Sequence, residues 1–449
     1  MSVAAERAVT VVGAGLAGAL LALLLARRGL SVVLSERRPD PRQAVPERGR
    51  SINLALAARG VRALEQAGVM DGVRPLLIPM RGRMVHERSG ATALQPYGQR
   101  EEEVIWSVGR AELNRVLIDA AVRHGGVSVC FNQLCLGADL RLQQLQFQDL
   151  SDGHAYQLPL TPTIATDGAG SAVRASLAAA GAVSVREEWL DHDYKELTIA
   201  AAAAAGLERH ALHIWPRGGF MLIALPNTDG SFTATLFLAR QGPQSFAALD
   251  SAQAVTAFFR REFADVMPLL PDLPAQFAAH PQGQLGTVHA APWHVAGEVL
   301  LLGDAAHAIV PFHGQGMNAA FEDCTVLDAL VGRHPDWQTR FAEFERTRRP
   351  NAAAIAHMAL ENYIEMRDAV LDARFVRRKA IAMALERRFP DRFIPRYSMV
   401  MFHPEIPYAE ALRRGVLQSQ LLEELDTGAD QSPDPALAEK LVMERLPRL

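Results

Sequence analysis

The sequence predicts an α/β protein in which a parallel sheet binds a nucleotide, accompanied by an antiparallel sheet and a helical C-terminal segment. Three observations predict it. An apolar run, Val9-Thr10-Val11-Val12, leads into Gly13-Ala14-Gly15-Leu16-Ala17-Gly18. A second run, Val299-Leu300-Leu301-Leu302, leads into Gly303-Asp304-Ala305-Ala306-His307, with Gly314-Gln315-Gly316-Met317-Asn318 close behind. Between them, Phe220 to Leu225 and Ser231 to Leu238 read as two strands joined by a turn at Asn227 to Gly230.

The first run, its glycine turn and an apolar helix from Leu16 to about Arg28 open a Rossmann-like βαβ unit. Gly13 allows the tight turn, Gly15 lets the backbone approach a pyrophosphate, and Gly18 lets helix and strand pack closely. The helix N-terminus at Leu16 and Ala17 offers free N–H groups and positive dipole density to the phosphates. The next strand, Ser31 to Ser35, ends in Glu36, placed to bond a ribose hydroxyl pair. A glycine turn used only for packing explains neither the third glycine nor Glu36. Arg37 and Arg38 as readers of a 2′-phosphate are set aside, because the acid already holds the ribose position. Exposed arginines there ordinarily solvate a surface, and Arg37 is grouped with the cofactor residues by position alone.

The second motif repeats the strand-to-helix step. Asp304 is placed to accept hydrogen bonds from a polyol chain such as a ribityl. A helix starting near Met317 can aim its N–H dipoles at a negatively charged reduced flavin ring. Between the two motifs, Thr163 to Thr166 leads into Asp167-Gly168 and a helix through Val173 and Leu177. Together the three narrow the nucleotide to FAD, held along its length by one domain that the chain leaves and re-enters.

Length and composition agree. A chain of 449 residues buries a substantial core and divides into two or three units. The expected division is a FAD-binding domain over 1–75, 104–185 and 295–345. A substrate domain with an antiparallel sheet takes 76–103 and 186–294, and a helical segment over 346–449 covers the active site. In that segment Pro350 is read near a helix start, with Pro390 and Pro395 as later breaks. A net charge of −4 gives no reason to expect nucleic acid or an anionic membrane as partner. Cys130, Cys135 and Cys324 match no zinc spacing and are too few for a disulfide framework, which points to the cytoplasm; no metal is expected. The apolar stretch from Val9 to Ala26 contains the glycine turn and is no membrane span, and the polar tail from Asp426 is no anchor. Oligomeric state stays open, with a homodimer as one option.

The three motifs resemble the single-component FAD aromatic hydroxylases, in which the middle motif, here Asp167 to Arg174, is thought to serve both FAD and the nicotinamide cofactor. Thr166 departs from the smaller residues more usual before it. The sequence has no second strand-GxGxxG-helix unit, which fits a family whose NADPH visits transiently. The resemblance sharpens towards the kynurenine 3-monooxygenase family, in its soluble bacterial type. It rests on Gly49-Arg50-Ser51-Ile52-Asn53-Leu54-Ala55-Leu56, Met80-Arg81-Gly82-Arg83-Met84, Leu94-Gln95-Pro96-Tyr97-Gly98 and Tyr194-Lys195-Glu196-Leu197. It continues in His213-Ile214-Trp215-Pro216, Pro311 to Asn318, Glu361-Asn362-Tyr363 and Arg396-Tyr397-Ser398-Met399-Val400. The resemblance implies a para-hydroxybenzoate-hydroxylase-like fold and tightly but non-covalently bound FAD. It implies an NADPH- and O2-dependent hydroxylation of L-kynurenine to 3-hydroxykynurenine through a flavin hydroperoxide, in tryptophan degradation. A hydroxylase of another amino-aromatic acid, or a non-hydroxylating flavin-binding sensor, stays as an alternative.

By the same resemblance Glu36, Leu54, Arg110, Asp304, Gly316, Met317 and Asn318 contact FAD. Arg83 grips the substrate carboxylate, Tyr97 assists, and Asn362 and Tyr397 complete the polar end. Sequence alone does not choose Arg83 over Arg81. The apolar slot draws on Met221, Ile223, Leu225, Phe237, Pro311, Phe312 and His313. The first three alternate along one strand, and the core face of a sheet would look the same. His307 is read as fixed beside the FAD phosphates. No acid–base residue is assigned, since an ortho-amino aromatic ketone is already electron-rich.

Overall fold

The computed structural model describes residues 8–43, 53–369, 372–428 and 433–449. Of the motif at 49–56, residues 49–52 lie outside the described residues. The chain forms two compact units, Met1–Leu77, Val108–Leu190 and Leu285–Ala352 in the first, and Ile78–Ser107, Asp191–Gln284 and Ala353–Leu449 in the second.

The first unit is built on a six-stranded sheet in the order His294–Val295, Val299–Leu301, Thr163–Ala165, Ala8–Val12, Ser31–Ser35, Val127–Cys130. The strands are parallel except for His294–Val295. Strands buried on both faces are continuous apolar runs rather than alternating ones, and Val9, Val11, Leu34, Ile164, Leu300 and Leu301 are all fully buried. The register decides where function can lie. Val12 pairs with both Ser35 and Ala165, and Ala165 pairs with Leu301, so these strands end level. The residues that follow are Gly13, Glu36, Thr166-Asp167 and Leu302-Gly303-Asp304. All three motifs therefore leave the sheet along one carboxyl edge, the edge at which such sheets bind ligands.

The second unit carries a sheet in the order Gln282–Ala291, Ser184–Ile199, Phe232–Ala239, Met221–Pro226, Ala211–Pro216, Gly82–His86, Thr92–Pro96. The expected hairpin is its centre, with Met221 opposite Phe237 and Leu225 opposite Thr233. One face packs on the helices Ala252–Glu262 and Leu273–Ala279. Trp215, Leu222, Ala224, Leu236 and Leu238 meet Val255, Phe258, Phe259, Phe263 and Leu273 there in one core. Each of the larger aliphatic and phenylalanine side chains contributes about 1.5–3 kcal/mol on burial.

One reading of the C-terminal segment is corrected. Pro350 does not start a helix but lies inside one, Trp337–Ile364, where the ring removes one N–H from the ladder without ending it. The polar tail ends in a docked helix, Pro435–Arg445, which Asp434 caps by accepting from the N–H of Ala436. Its Ala438, Leu441 and Val442 pack with Leu385, Phe393, Leu421 and Leu425.

Candidate functional site

The glycine turn of the first unit has the geometry that a bound pyrophosphate needs. Gly13 adopts φ +95°, and a Cβ there would press on the carbonyl of Thr166. A Cβ on Gly18 would lie 1.9 Å from the Gly13 oxygen, so this glycine is what lets the Leu16–Arg27 helix seat on its strand. Around a Cβ added to Gly15, by contrast, nothing among the described residues stands within 4 Å. The helix that starts there has no side-chain cap and no acid in its first turn, and the same holds for the Gly316–Arg333 helix. Two helix ends thus present N–H groups with no side chain of their own to satisfy them.

Glu36 is buried. One oxygen accepts from the N–H of Ala14 at 2.9 Å, the other from the N–H and the Nε of Arg38 at 3.0 and 2.8 Å. Burial pushes its carboxyl up, but Arg38 and the Ala14 N–H outweigh burial and hold it below the ordinary range. Arg38 is therefore no mere solvated surface residue: it fixes the acid beside the glycine turn. Arg37 is exposed. Asp167 accepts from the N–H of Val173 at 3.3 Å through one oxygen, and its other oxygen is buried without a partner among the described residues. Burial raises its carboxyl. An orphaned acceptor, two uncapped helix ends and an open glycine are donors and acceptors awaiting a polar, phosphate-bearing ligand. FAD fits that set.

Side chains fasten the cradle from behind. The hydroxyl of Thr166 donates at 2.9 and 2.8 Å to the carbonyls of Val12 and Gly13, so the departure at this position clasps the middle motif to the first. Asn318, fully buried, donates to the carbonyls of Ala55 and Gly314 and accepts from the N–H of Ala57. That ties the segment carrying Leu54 to the helix of Gly316 and Met317. His307 is held by Asp323 at 2.6 Å and lies against Trp293, and Asp323 also takes Arg348 at 2.6 Å. Burial would raise the Asp323 carboxyl, yet His307 and Arg348 keep it below its usual value. His307 is thus a structural member of a buried ion network that continues from Arg348 through Glu322 to Arg59. Asp304, the first residue of its short helix, and Arg110, the first of the Arg110–His124 helix, are both exposed.

The second unit gathers the predicted polar end. The guanidinium of Arg83, only 6% exposed, lies 5.8 Å from the ring of Tyr97 and 5.0 Å from that of Tyr397. These rings stack on one another. One Nη donates to Oε1 of Glu365 at 3.1 Å, the other faces Oδ1 of Asn362 at 3.4 Å, and the buried Nε has no partner among the described residues. Burial alone would lower the guanidinium's pKa, but the two phenols and Glu365 reverse that, so it stays charged. Burial pushes both phenols up, keeping them neutral.

Register settles what the sequence left ambiguous about the apolar slot. Arg83 pairs with Leu212 and Val85 with Ile214; Ile214 pairs with Ile223 and Met221 with Phe237. Paired residues share a face, and so do alternate ones. Arg83, Met221, Ile223, Leu225 and Phe237 therefore lie on one face, opposite the helix-backed core. Pro311, Phe312 and His313 form a 3-10 turn of the first unit, in which Phe312 and His313 are buried.

Sequence reasoning missed Glu365, Lys379, Asp323 and Arg348. Glu365 stands one helical turn beyond Asn362, a spacing that could have suggested it. Lys379 donates to the carbonyl of Pro96 at 3.1 Å, and burial, then repulsion from Arg83, pushes its pKa down to about 8. Nothing local in the sequence signals it.

This combination defines a class, a flavoprotein, and the FAD binding domain family matches residues 6–356. The solved structure of 2-methyl-3-hydroxypyridine-5-carboxylic acid oxygenase shares the fold, with a TM-score of 0.66 at 19% identity over 81% of this chain and 93% of that one. Closer likeness comes from sequence. The kynurenine 3-monooxygenase of Stenotrophomonas maltophilia is 48% identical across 99% of this chain and 98% of its own length. That of Myxococcus xanthus is 48% identical across 99% and 97%. The chain belongs to the kynurenine 3-monooxygenase family.

Proposed function

We propose that this protein hydroxylates L-kynurenine to 3-hydroxykynurenine, consuming NADPH and O2. The observation that carries the reading is Arg83, a buried cation whose Nε has no partner among the described residues, at the end of an apolar sheet face. Such a site suits a molecule with a carboxylate at one end and an aromatic ring at the other. Near-full-length identity to two kynurenine 3-monooxygenases supports the same substrate.

In this reading Arg83 takes the carboxylate, Asn362 and the neutral phenols of Tyr97 and Tyr397 complete the polar end, and the Met221, Ile223, Leu225 and Phe237 face holds the ring. Glu36, Asp167, Asp304 and the N–H groups after Gly15 and Gln315 hold FAD. Bound FAD supplies hydride acceptance from NADPH and the activation of O2. The protein's work is to fix the ring in reacting geometry and to keep water from the reacting atoms. The ortho-amino group already enriches the ring carbon that is oxidised, so no side-chain base is required. The balance is L-kynurenine, O2, NADPH and H+ giving 3-hydroxykynurenine, H2O and NADP+. The cytoplasm suits this chemistry, and three free cysteines agree with it. Among the described residues no helix is long and apolar enough to cross a membrane.

The test is NADPH oxidation by the FAD-loaded protein with and without L-kynurenine, with the product identified by mass. Stimulation with a gain of one oxygen is expected. Stimulation that yields only hydrogen peroxide would make kynurenine an effector and another amino-aromatic acid the substrate, and no stimulation would remove kynurenine altogether.

A further inference from the structure

We infer that His86 is a positioning residue for Arg83: by gaining and losing one proton it sets how firmly the strand that carries Arg83 is held to the rest of its sheet, so that substrate binding is tuned by pH. The inference rests on the proposed role of Arg83 in holding the substrate and goes beyond it, to what holds Arg83.

The strand Gly82–His86 joins the sheet through a parallel junction. It pairs with Ala211–Pro216, from Gly82 opposite Ala211 to Val85 opposite Ile214. The pairings to either side, Ala211–Pro216 with Met221–Pro226 and Gly82–His86 with Thr92–Pro96, are antiparallel. Parallel pairing is slightly the weaker per residue. Arg83 stands on one face of this junction. On the opposite face two buried histidines bridge it, with Nε2 of His86 2.8 Å from Nδ1 of His213. His213 pairs with Met84 in the ladder, so the bond to His86 runs diagonally between the strands and pins their register.

Hydrogen-bond chemistry fixes where the protons sit. The carbonyl of Glu208, 2.9 Å from Nε2 of His213, can only accept, so that nitrogen carries the hydrogen. Nδ1 of His213 is then the acceptor and Nε2 of His86 the donor. Burial above all pushes His213 down to about 4, so it stays neutral. The nitrogen left to titrate is Nδ1 of His86, which lies 3.6 Å from Oδ2 of Asp265.

Asp265 is ready to receive that proton's charge. Burial would raise its carboxyl, but His86 and the indole N–H of Trp215, at 2.6 Å, outweigh burial and hold it below the ordinary range. The His86 ring also stacks on Trp215, with centroids 4.1 Å apart. A charged His86 therefore has a carboxylate at its edge and an aromatic face beneath it, whereas a neutral one turns a lone pair towards the carboxylate. The remaining charges are Arg217, which donates to the His86 carbonyl at 3.1 Å, and Arg88 beyond it. Both oppose the second proton, and Glu262, paired with Arg88 and Arg261, offsets them. Protonation thus ties the junction to the segment of Phe263 and Val266, which is buried in the helix-backed core. The tie is firm at low pH and slackens as pH rises, and histidine is the side chain that ordinarily changes charge between about pH 5 and 8.

The experiment compares the FAD-loaded parent with His86→Gln, whose amide still offers His213 a donor but cannot titrate, and with Asp265→Asn, which keeps an acceptor for Trp215. Hydrogen exchange is read by mass on peptides covering 81–86 and 211–216, corrected for the intrinsic effect of pH on exchange, at about pH 6 and about pH 8.5. KM and kcat for L-kynurenine are measured at the same two values. Between them, protection of the two strands is expected to fall roughly three- to tenfold more in the parent than in either variant, with KM rising by a similar extra factor and kcat unchanged. Lys379 and the substrate's own amine titrate alike in all three proteins, so the difference between proteins isolates His86. The same pH dependence of protection in the parent and His86→Gln would remove the switch. A difference in protection with no matching difference in KM would mean that the junction does not position Arg83; either result overturns the inference. If one variant loses its flavin, the other carries the same comparison. A parent that turns over no kynurenine would defeat the substrate reading, and the exchange comparison alone would then uphold or overturn the titrating junction.

Discussion

Replacing Gly15 with alanine is expected to empty the cofactor site while leaving the apoprotein as stable as before, and replacing Gly18 is expected to damage the apoprotein itself. At Gly15 the backbone has φ −66° and ψ −172°, an extended conformation open to any residue, and among the described residues no atom stands within 4 Å of the added methyl. Alanine there also narrows the unfolded ensemble, so the apoprotein changes by roughly 0 to +1 kcal/mol. A methyl at the point of closest backbone approach keeps the pyrophosphate off the helix N–H groups. Losing two charge-assisted hydrogen bonds at about 1.5–3 kcal/mol each weakens FAD binding by roughly 10²- to 10⁴-fold. At Gly18 the methyl would stand 1.9 Å from the Gly13 oxygen and 2.5 Å from the Thr166 hydroxyl, so helix and turn must separate. Overpacking of that kind costs at least about 1–3 kcal/mol. Urea unfolding of the flavin-free proteins measures the stability, and titration with FAD measures the affinity. The reasoning fails if Gly15→Ala lowers the apoprotein midpoint as far as Gly18→Ala does, or if it binds FAD within about threefold of the parent.

Three further outcomes are expected. Arg83→Ala raises KM for L-kynurenine by roughly 10²-fold or more, the usual scale for losing one side of a buried charge pair, with FAD content unchanged; an unaltered KM would take Arg83 out of the carboxylate site. The Asp323 carboxyl is depressed in the fold, so its stabilisation is full above the unfolded value near 4 and drains away as pH falls below it. Asp323→Asn should lose that acid limb and be less stable at pH 7 by up to about 3–5 kcal/mol in urea titrations, because the carboxylate shared by His307 and Arg348 is gone and only Glu322 still offsets the buried guanidinium. Lys379 titrates at about 8, so kcat/KM should fall as pH rises through that value and its charge is lost. Lys379→Met should lack the inflection. It should also be the more stable protein at pH 7 but not near pH 10.5, since a lysine depressed by folding destabilises only where the unfolded chain would still be charged.

What the sequence disclosed follows from the range over which each feature is determined. The turn at Gly13 to Gly18, the Leu16–Arg27 helix and the hairpin centred on Asn227 to Gly230 are set by neighbours in the chain, and local chemistry announces them. That Val12, Ser35, Ala165 and Leu301 end level is a matter of long-range register; only the repeated strand-to-glycine pattern hinted at it. Local rules misled where packing overrode them. Pro350 sits inside a helix that neighbouring elements hold in place, and Arg38 turned back to Glu36. For the candidate site, Met221, Ile223 and Leu225 showed alternation but not which side of the sheet was core. Pairing through Ile214 and Val85 to Arg83 supplies the answer, and no single stretch of sequence contains it. Glu365 went unnoticed because its meaning depends on Arg83, far away in the chain.

The three-part construction of the first unit has a consequence for how the protein is made. Val299–Leu301 pairs directly with Thr163–Ala165, yet it is synthesised only after the antiparallel sheet of the second unit. Until it arrives, Thr163–Ala165 is an open parallel edge, ready to pair with the wrong strand. The glycine turn emerges among the earliest residues but must wait for Asp304, Asn318 and the Asp323–Arg348 network before its far wall exists. If those residues hold FAD as proposed, its capture is expected late in biosynthesis, with the non-local closing of this sheet the step most exposed to aggregation. Flavin supplied during expression should act on yield by trapping that final closure, more than by raising the stability of a protein already folded.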